Sequence, residues 1–416
     1  MTQRYDTYKD SGVQWLGEIP GHWGSVRVKN IFKESQDITI DGKEEQLSVT
    51  QAFGIIRSKD AKISNPPSST LGWKIVKKGD IVFNKYKAHS GVFFASKYDG
   101  IVTFNYSVYN CFDNCYPKYY ELLFHTPSCI NELKKLMRGV GESISPLYTV
   151  QLYTIHIPLP PHPEQHAIVS YLDDKCGKID EWIEKKQKEV ELLGEMKQRV
   201  IADAVTRGLN PDVKMKATNI AWLPEVPEHW EMSKVSSHFR QRNEKVSDKD
   251  YPALSVSKQG VTPQLDNVAL SNAEGASRKL VKVGDYAVNS RSDRKGSCGV
   301  SKYEGSVSLI TIVLEPFGID NEYIHHLFRS KPWVEEFYRN GRGIVSDLWT
   351  TNFQMMKGMY FPVPPLSEQR AIVSYINERT AKIDKMVENV NREIESLKEY
   401  KQRLISDVVT GQIKVC

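Results

Sequence analysis

The sequence predicts an α/β (α+β) protein built as a tandem repeat, in which each of two globular domains is followed by a long helix and the helices pair as an antiparallel coiled coil. Residues 160–206 recur 204 positions later with 24 of 47 residues identical. Both copies carry apolar residues at heptad spacing, which is typical of a coiled coil. Short apolar runs and polar turns precede each copy. The predicted segments are residues 1–159, 160–208, 209–363 and 364–416.

Composition restricts the class of protein. The 416 residues exceed one ordinary core, and 40% hydrophobic with 26% charged residues is typical of a soluble globular protein. The sequence contains no run of about 18 apolar residues, so no membrane span is predicted. The opening "MTQRYDTYKDSGVQWLG" contains no apolar signal region, so secretion is not expected. Six scattered cysteines are too sparse for a disulfide framework, so we expect a cytoplasmic protein. The net charge of +5 permits a polyanionic partner.

The globular domains repeat as well, although less closely than the helices. "WLGEIPGHW" of the first matches "WLPEVPEHW" of the second, and "SKYDG" matches "SKYEG". Strands are predicted at "GDIVFN", "SGVFFAS", "IVTFNYSVYNCF" and "VSLITIVLEP", because β-branched and aromatic residues dominate runs bounded by polar turns. A shorter helical stretch is predicted near residues 119–138 and 321–339.

The long helices have clear start and stop signals. Prolines in "PPHPEQHAIVSYL" and "PPLSEQRAIVSYI" stop the preceding strand, a glutamate stands in the first turn, and Ser367 is a plausible N-cap. Gly208 and Gly411 follow the last heptads. At about 1.5 Å per residue each helix is roughly 65 Å long. The other copy is the simplest partner for its apolar stripe, with one globular domain at each end.

This arrangement resembles the specificity subunit of type I restriction–modification enzymes. The resemblance spans the whole chain and rests on the repeated helix, with its "PEQHAIV" and "SEQRAIV" starts and its two "KQR" triplets. It implies that each globular domain is a target recognition domain that reads one half of a split target in double-stranded DNA. It also implies that the helices set the gap and dock two methyltransferase subunits that bind S-adenosylmethionine, through which restriction and translocase subunits join.

The residues predict no catalytic centre and no cofactor. No G-x-x-x-x-G-K-[ST] phosphate loop occurs. "NPPS" at residues 65–68 lacks the aromatic fourth residue with which amino-methyltransferases stack a flipped base. The "CFDNC" cysteines lack a second pair at zinc-finger distance. A coiled-coil scaffold joining two protein-binding domains is the alternative function, and an orphan methyltransferase is a third.

Candidate DNA contacts are polar and basic side chains in loops, because arginine and lysine suit guanine and phosphate while asparagine and glutamine suit adenine. The first set lies in two matched loops after the Gly-Asp strands: Asn84, Lys85, Tyr86, Lys87, His89, Asn289, Arg291, Arg294 and Lys295. A second set lies in other loops: Arg57, Lys59, Lys62, Lys258, Gln259, Arg138, Ser143 and Arg342. Solvated loop lysines and plain turns are the alternatives, and Asp293 is expected to orient an arginine.

Candidate partner contacts are residues that recur in both helices although the domains diverge. They are Glu164, Gln165, Lys197, Arg199, Glu368, Gln369, Lys401 and Arg403. The resemblance implies that they dock the methyltransferase subunits. Ion pairs between the two antiparallel helices explain the same repetition equally well.

Overall fold

The computed structural model describes residues 3–61, 69–137, 146–264, 278–343 and 349–415. The chain divides into two compact units. Unit 1 comprises residues 1–186 and 392–416, and unit 2 comprises residues 187–391. Each unit therefore combines one globular domain with part of both long helices.

The described elements of the first half of the chain are short strands and three short α-helices, followed by the first long helix, of which residues 187–207 belong to unit 2. The strands are β1 (Tyr8–Asp10), β2 (Glu18–Pro20), β3 (Gly24–Arg27), β4 (Phe32–Glu34), β5 (Leu47–Thr50), β6 (Gly54–Arg57), β7 (Lys74–Val76), β8 (Ile81–Asn84), β9 (Phe93–Ala95), β10 (Gly100–Val102), β11 (Tyr106–Cys111) and β12 (His156–Leu159). The helices are α1 (Pro117–Phe124), α2 (Pro127–Leu136), α3 (Thr149–Leu152) and α4 (His162–Arg207).

The described elements of the second half of the chain repeat this order. The strands are β13 (Met215–Ile220), β14 (Leu223–Pro227), β15 (Glu231–Lys234), β16 (Phe239–Gln241), β17 (Lys245–Val246), β18 (Leu254–Ser257), β19 (Gly260–Pro263), β20 (Arg278–Val281), β21 (Tyr286–Asn289), β22 (Cys298–Val300), β23 (Gly305–Ser308), β24 (Thr311–Pro316) and β25 (Tyr360–Val363). The helices are α5 (Asn321–Arg329), α6 (Lys331–Arg339), α7 (Phe353–Met356) and α8 (Leu366–Val409).

Each domain is organised around a four-stranded antiparallel sheet. The order is β4-β11-β8-β9 in unit 1 and β16-β24-β21-β22 in unit 2. The registers also agree, since Tyr106 pairs with Asn84 and Thr311 pairs with Asn289. The repeat seen in the sequence is therefore a repeat of strand pairing.

Two sequence predictions differ in detail from the structure. The run "IVTFNYSVYNCF" forms two strands, β10 and β11, because a turn interrupts it. The helical stretch near residues 119–138 is two helices, because Pro127 cannot continue α1 and instead opens α2, with Thr126 as its N-cap. Likewise Pro332 stands in the first turn of α6.

Aromatic side chains fill the cores of both domains. In unit 1, Phe83 stacks on Phe93 with ring centroids 4.6 Å apart, and Phe93 stacks on Phe124 at the same distance. In unit 2, Phe328 stacks on Trp333 at 4.1 Å. Both cores extend to both long helices. In unit 1 the helix residues are Ile168, Leu172, Leu404 and Val408, and in unit 2 they are Ala204, Val205, Ile372 and Ile376.

The two long helices run antiparallel where they meet within each unit. In unit 1, Lys401 lies 2.6 Å from Asp180 and Lys186 lies 2.8 Å from Glu393, so residue numbers rise along one helix as they fall along the other. In unit 2, Lys197 lies 2.6 Å from Asp384. The predicted fold class, two α+β domains with a pair of long antiparallel helices in a tandem repeat, is confirmed. Among the described helices, none combines the length and the apolarity needed to cross a membrane.

Candidate nucleic-acid interface

The polar loop of unit 1 follows β8 at one edge of the central sheet. The Asn84 side chain, at the end of β8, accepts hydrogen bonds from the backbone N–H groups of Tyr86 (2.9 Å) and Lys87 (3.2 Å). This Asx turn directs both following side chains outward, and Tyr86 is 55% exposed. Lys85 is half-buried: burial lowers the pKa of its ammonium, and the neighbouring Lys74 lowers it further.

The polar loop of unit 2 leaves the equivalent edge of its sheet. Asn289 makes the same kind of turn, with its side chain accepting from the backbone N–H of Arg291 at 3.1 Å. The Arg291 guanidinium donates two hydrogen bonds to Asp293, at 3.0 and 3.1 Å. Lys295 pairs with Glu335 at 3.1 Å. Arg294 is the most exposed cation of the loop, with 67% of its side chain accessible.

The structure brings Arg342 next to this second loop. Arg342 and Arg291 each pair with Thr350 through a single antiparallel β-bridge. The backbone N–H of Ser292 donates to the Trp349 carbonyl at 2.9 Å. Two groups of predicted contacts that lie about fifty residues apart in sequence are thus neighbours. The corresponding first-domain residues, Arg138 and Ser143, lie outside the described residues, as does Lys62.

The remaining candidates lie on, or directly after, the β5–β6 and β18–β19 hairpins. Arg57 and Lys59 both pair with Glu45, at 3.1 and 2.6 Å, and the Arg57 guanidinium lies 4.9 Å from the centre of the Tyr98 ring. Lys258 and Gln259 form the two-residue turn of the second hairpin and are both exposed. Arg57 is therefore engaged within its own domain, whereas the side chains of the second turn face solvent.

The four predicted partner residues at the helix starts bond to their own domains, and their role in docking stays a prediction. Gln165 accepts from the Tyr116 backbone N–H at 2.8 Å and donates to the carbonyls of Asn114 and Pro160. Gln369 makes the matching bonds in unit 2, to the Asp320 N–H and the Pro364 carbonyl.

The matched glutamates also bond to their own domains. Glu164 accepts from the Tyr5 hydroxyl at 2.5 Å and from His22 at 2.8 Å, and it is only 8% exposed. Glu368 contacts His229 at 2.8 Å. These contacts fasten each long helix to the domain before it.

The two "KQR" triplets divide into an interhelical residue and an exposed residue. Lys197 and Lys401 form the matched interhelical ion pairs, as the alternative to docking predicted. Arg199 and Arg403 lie 3.5 Å from Asp203 and Asp407 on their own helices, with side chains 84% and 83% exposed. The arginines are therefore the members of this set that a partner can reach, and their role in docking stays a prediction.

Sequence comparisons bear on what this repeated architecture does. The family model described as "Type I restriction modification DNA specificity domain" matches residues 20–192. The putative type I restriction enzyme MjaX specificity subunit of Methanocaldococcus jannaschii is 24% identical over 433 residues, covering 96% of each chain. The MjaVIII specificity subunit of the same organism is 23% identical over 428 residues, covering 95% of this chain and 94% of its own.

The chain is therefore similar to type I restriction–modification specificity subunits along nearly its whole length, and its residues 20–192 match their DNA specificity domain. Solved structures show the same fold. One, from a study of complex assembly and conformational transition of the type I restriction–modification system, has a TM-score of 0.68 at 15% identity and covers 94% of this chain and 98% of its own. The HsdS subunit from Thermoanaerobacter tengcongensis has a TM-score of 0.53 at 16% identity, covering 95% and 98%.

Sequence reasoning overlooked two lysines that lie beside the polar loop of unit 2, Lys245 and Lys279. Lys74 opens β7 and Lys279 lies at the matched position of β20. The repetition of "KIVKKGD" as "KLVKVGD" was the available signal. Lys245 had no such signal, because it meets Lys279 only through the pairing of β17 with β20.

Proposed function

We propose that each globular domain of this protein reads one half of a bipartite, asymmetric target in double-stranded DNA. The observation that carries the proposal is the pair of polar loops, residues 84–89 and 289–295, which leave equivalent edges of two matched sheets but differ in sequence. Equivalent placement suits the repeated geometry of a duplex. Different side chains imply different base sequences in the two halves.

The long helices support a role as a spacer. They contain 46 and 44 residues, or roughly 70 Å of helix each. Each unit holds parts of both helices in its core, so the segment between the two globular domains is helical rather than irregular. A stiff connection between two weak binding sites raises their combined affinity and makes a wrongly spaced target costly to bind.

The exposed faces of the helices support docking of two methyltransferase subunits. A repeated surface needs a repeated partner, and Arg199 and Arg403 offer the same exposed guanidinium in each unit. The methyltransferases would supply the S-adenosylmethionine site, and restriction subunits would join through them. This chain directs that chemistry to a sequence and carries out none itself. Within the described residues, no cluster of three or more His, Cys, Asp or Glu side chains could hold a metal ion.

Methylation mapping tests the proposal. The chain is expressed with its cognate methyltransferase in cells that lack other methylation, and modified bases are mapped across the genome. We expect one split, non-palindromic motif with a fixed gap. A palindromic or continuous motif, or random methylation, would refute the bipartite reading.

Salt-dependent DNA binding separates this function from a protein-binding scaffold. A DNA-reading subunit should show a preferred duplex and an affinity that falls steeply with salt, because counterions are released when phosphates are bound. A scaffold would show neither property. Measurable affinity of the isolated chain for S-adenosylmethionine would instead indicate an orphan methyltransferase.

A further inference from the structure

Two lysines of unit 2 face the same side of a small sheet. Lys245 on β17 and Lys279 on β20 are directly opposite in the antiparallel register, so their side chains emerge from the same face. The Lys279 ammonium donates to the Thr311 carbonyl oxygen at 2.8 Å, and Lys245 is exposed. Like charges placed directly opposite each other destabilise a sheet.

Neither lysine is neutralised by a carboxylate in the part of the chain that the structure describes. The nearby acids act elsewhere, Glu244 on Arg242 and Asp248 on Arg278. Burial lowers the pKa of Lys279, and no acidic neighbour opposes that effect. The site therefore holds positive charge that the domain itself does not balance.

In unit 1 the matched lysine is paired with a carboxylate. The register puts Ile38 opposite Lys74 there. The Lys74 ammonium lies 3.3 Å from Glu34, which also accepts from the hydroxyls of Ser107 (3.1 Å) and Thr149 (2.6 Å). Burial raises the pKa of Glu34, but the Thr149 hydroxyl and the Lys74 ammonium outweigh this and hold the pKa below its ordinary value.

Unit 2 has replaced each of the groups around that lysine. The matched positions are Gln241 in place of Glu34, Ile312 in place of Ser107, and Phe353 in place of Thr149. The acid and both hydroxyls are absent at these positions, but the lysine is retained and a second lysine replaces Ile38. Packing within the domain does not explain two lysines that no carboxylate of the described residues neutralises. Binding of an anion from another molecule would explain them.

We propose that Lys245 and Lys279 bind a backbone phosphate of the DNA held by unit 2. The proposal rests on the function proposed above. Thr311, whose carbonyl accepts from Lys279, pairs in register with Asn289, the first residue of the polar loop. The lysine pair thus lies beside the residues expected to read bases. Two compact ammonium groups suit a phosphate better than the planar edge of a base, for which arginine is the better donor.

Salt titration of DNA binding tests the lysine pair. The whole chain, assembled with its methyltransferase subunits, is titrated with a fluorescent duplex that contains its mapped target, over a series of potassium chloride concentrations. Removing the two ammonium groups in K245Q/K279Q should reduce the slope of log affinity against log salt by about one, because one phosphate contact is lost. Affinity at low salt should fall at least about tenfold, equally for target and unrelated duplexes.

The matched control is E34Q/K74Q, which removes a neutral pair at the equivalent place in unit 1 and should leave the slope unchanged. Q241E is a second route to the same answer, because it places a carboxylate where Glu34 stands in unit 1 and should reduce the slope by about one. Thermal unfolding of each complex shows that the variants are folded.

An unchanged slope in both K245Q/K279Q and Q241E would overturn the proposal, as would an equal reduction in E34Q/K74Q. An effect confined to one base pair of the target would overturn the phosphate assignment in favour of base reading. Absence of any target preference in the unmodified complex would instead overturn the proposed function, so the two failures are distinguishable.

Discussion

At the scale of single residues, the two polar loops present their cations differently. In unit 2 Asp293 holds the Arg291 guanidinium through two hydrogen bonds, while Arg294 is mostly solvated. In unit 1 Lys87 is exposed and Lys85 is half-buried. A guanidinium fixed by a carboxylate is pre-oriented for a planar acceptor such as the edge of guanine. The loops should therefore act separately, each on its own half of the target.

The first prediction tests this separation. Arg291→Ala with Arg294→Ala should relax recognition of one half of the target and leave the other unchanged, at a cost of about 1–3 kcal/mol for each base that is no longer read. Lys85→Ala with Lys87→Ala is the matched variant and should affect only the opposite half. Binding to a library of duplexes randomised in either half provides the measurement. Equal weakening in both halves would contradict the assignment.

A second prediction concerns acid stability. Burial, with Arg329 and His326 nearby, lowers the pKa of His325 to about 3. Its ring Nδ1 accepts from the Val300 backbone N–H at 3.3 Å, which requires the neutral form. As pH falls below about 6.5 the unfolded chain binds a proton here and the folded chain does not, so the free energy of unfolding decreases. At pH 4 the decrease should reach about 3 kcal/mol.

His325→Gln keeps an acceptor for Val300 and does not titrate. The variant should therefore lose less stability between pH 7 and pH 4 than the unmodified chain, as measured by denaturant unfolding at each pH. The matched residue in unit 1, Glu121, accepts the equivalent N–H of Ala95 at 2.9 Å, so a non-aromatic acceptor fits this position. Identical acid sensitivity in both proteins would show that other groups control it.

Residue-scale features were the hardest to predict from sequence. The pairing of Lys245 with Lys279 depends on strand register, which alternation of apolar residues does not reveal. The bonds of Glu164 and Gln165 to their own domain were also missed, because the same residues can begin an exposed helix or a buried one. The duplicated heptads, in contrast, predicted the long helices and their antiparallel pairing, since a period sustained over some 45 residues has few other structural solutions.

At the scale of elements, matched ion pairs align the long helices. Lys197 with Asp384 and Lys401 with Asp180 are the same contact formed twice. Their side chains are partly exposed, so each pair contributes only about 0–1 kcal/mol. Stability comes instead from the apolar seam, and the ion pairs disfavour a shift of one helix along the other.

The third prediction concerns how the helices end. Gly208 and Gly411 have φ values of 75° and 77°, in the left-handed region. A Cβ at Gly208 would lie 3.2 Å from the Trp230 ring, whereas one at Gly411 would lie 2.4 Å from Pro20 and 2.9 Å from Trp23. Gly208→Ala should cost about 1 kcal/mol for its φ alone, and Gly411→Ala about 2–4 kcal/mol because overlap is added.

Denaturant unfolding of the two variants measures this difference, and each variant serves as the control for the other. Equal destabilisation would mean that Pro20 and Trp23 move aside at little cost. A larger effect at Gly208 would contradict the packing argument.

At the scale of the whole molecule, the two copies of the repeat share the contacts between domain and long helix and differ elsewhere. The Tyr119 hydroxyl donates to the Val409 carbonyl at 2.7 Å in unit 1, and the Tyr323 hydroxyl donates to the Val205 carbonyl at 3.3 Å in unit 2. Each domain thus contacts the C-terminal end of the long helix that follows the other domain, as well as the start of the long helix that follows itself. The two copies differ mainly in residues that do not contact the long helices, above all in the polar loops.

The fourth prediction tests the helices as a spacer. Deleting one heptad from each, residues 187–193 and the matched 391–397, shortens each helix by about 10 Å while keeping the seam in phase. The gap in the methylated target should shrink by about three base pairs, with both halves unchanged. Genome-wide methylation mapping gives the result, and an unaltered gap would refute the spacer role.

The division of both long helices between the two units also has a consequence for folding during synthesis on the ribosome. Unit 2 is one continuous stretch, residues 187–391, whereas unit 1 needs Leu404 and Val408 to complete its core. The second unit is therefore fully synthesised before the first has all its parts. We expect the nascent second domain to become protease-resistant first, which reverses the order usual for multidomain chains.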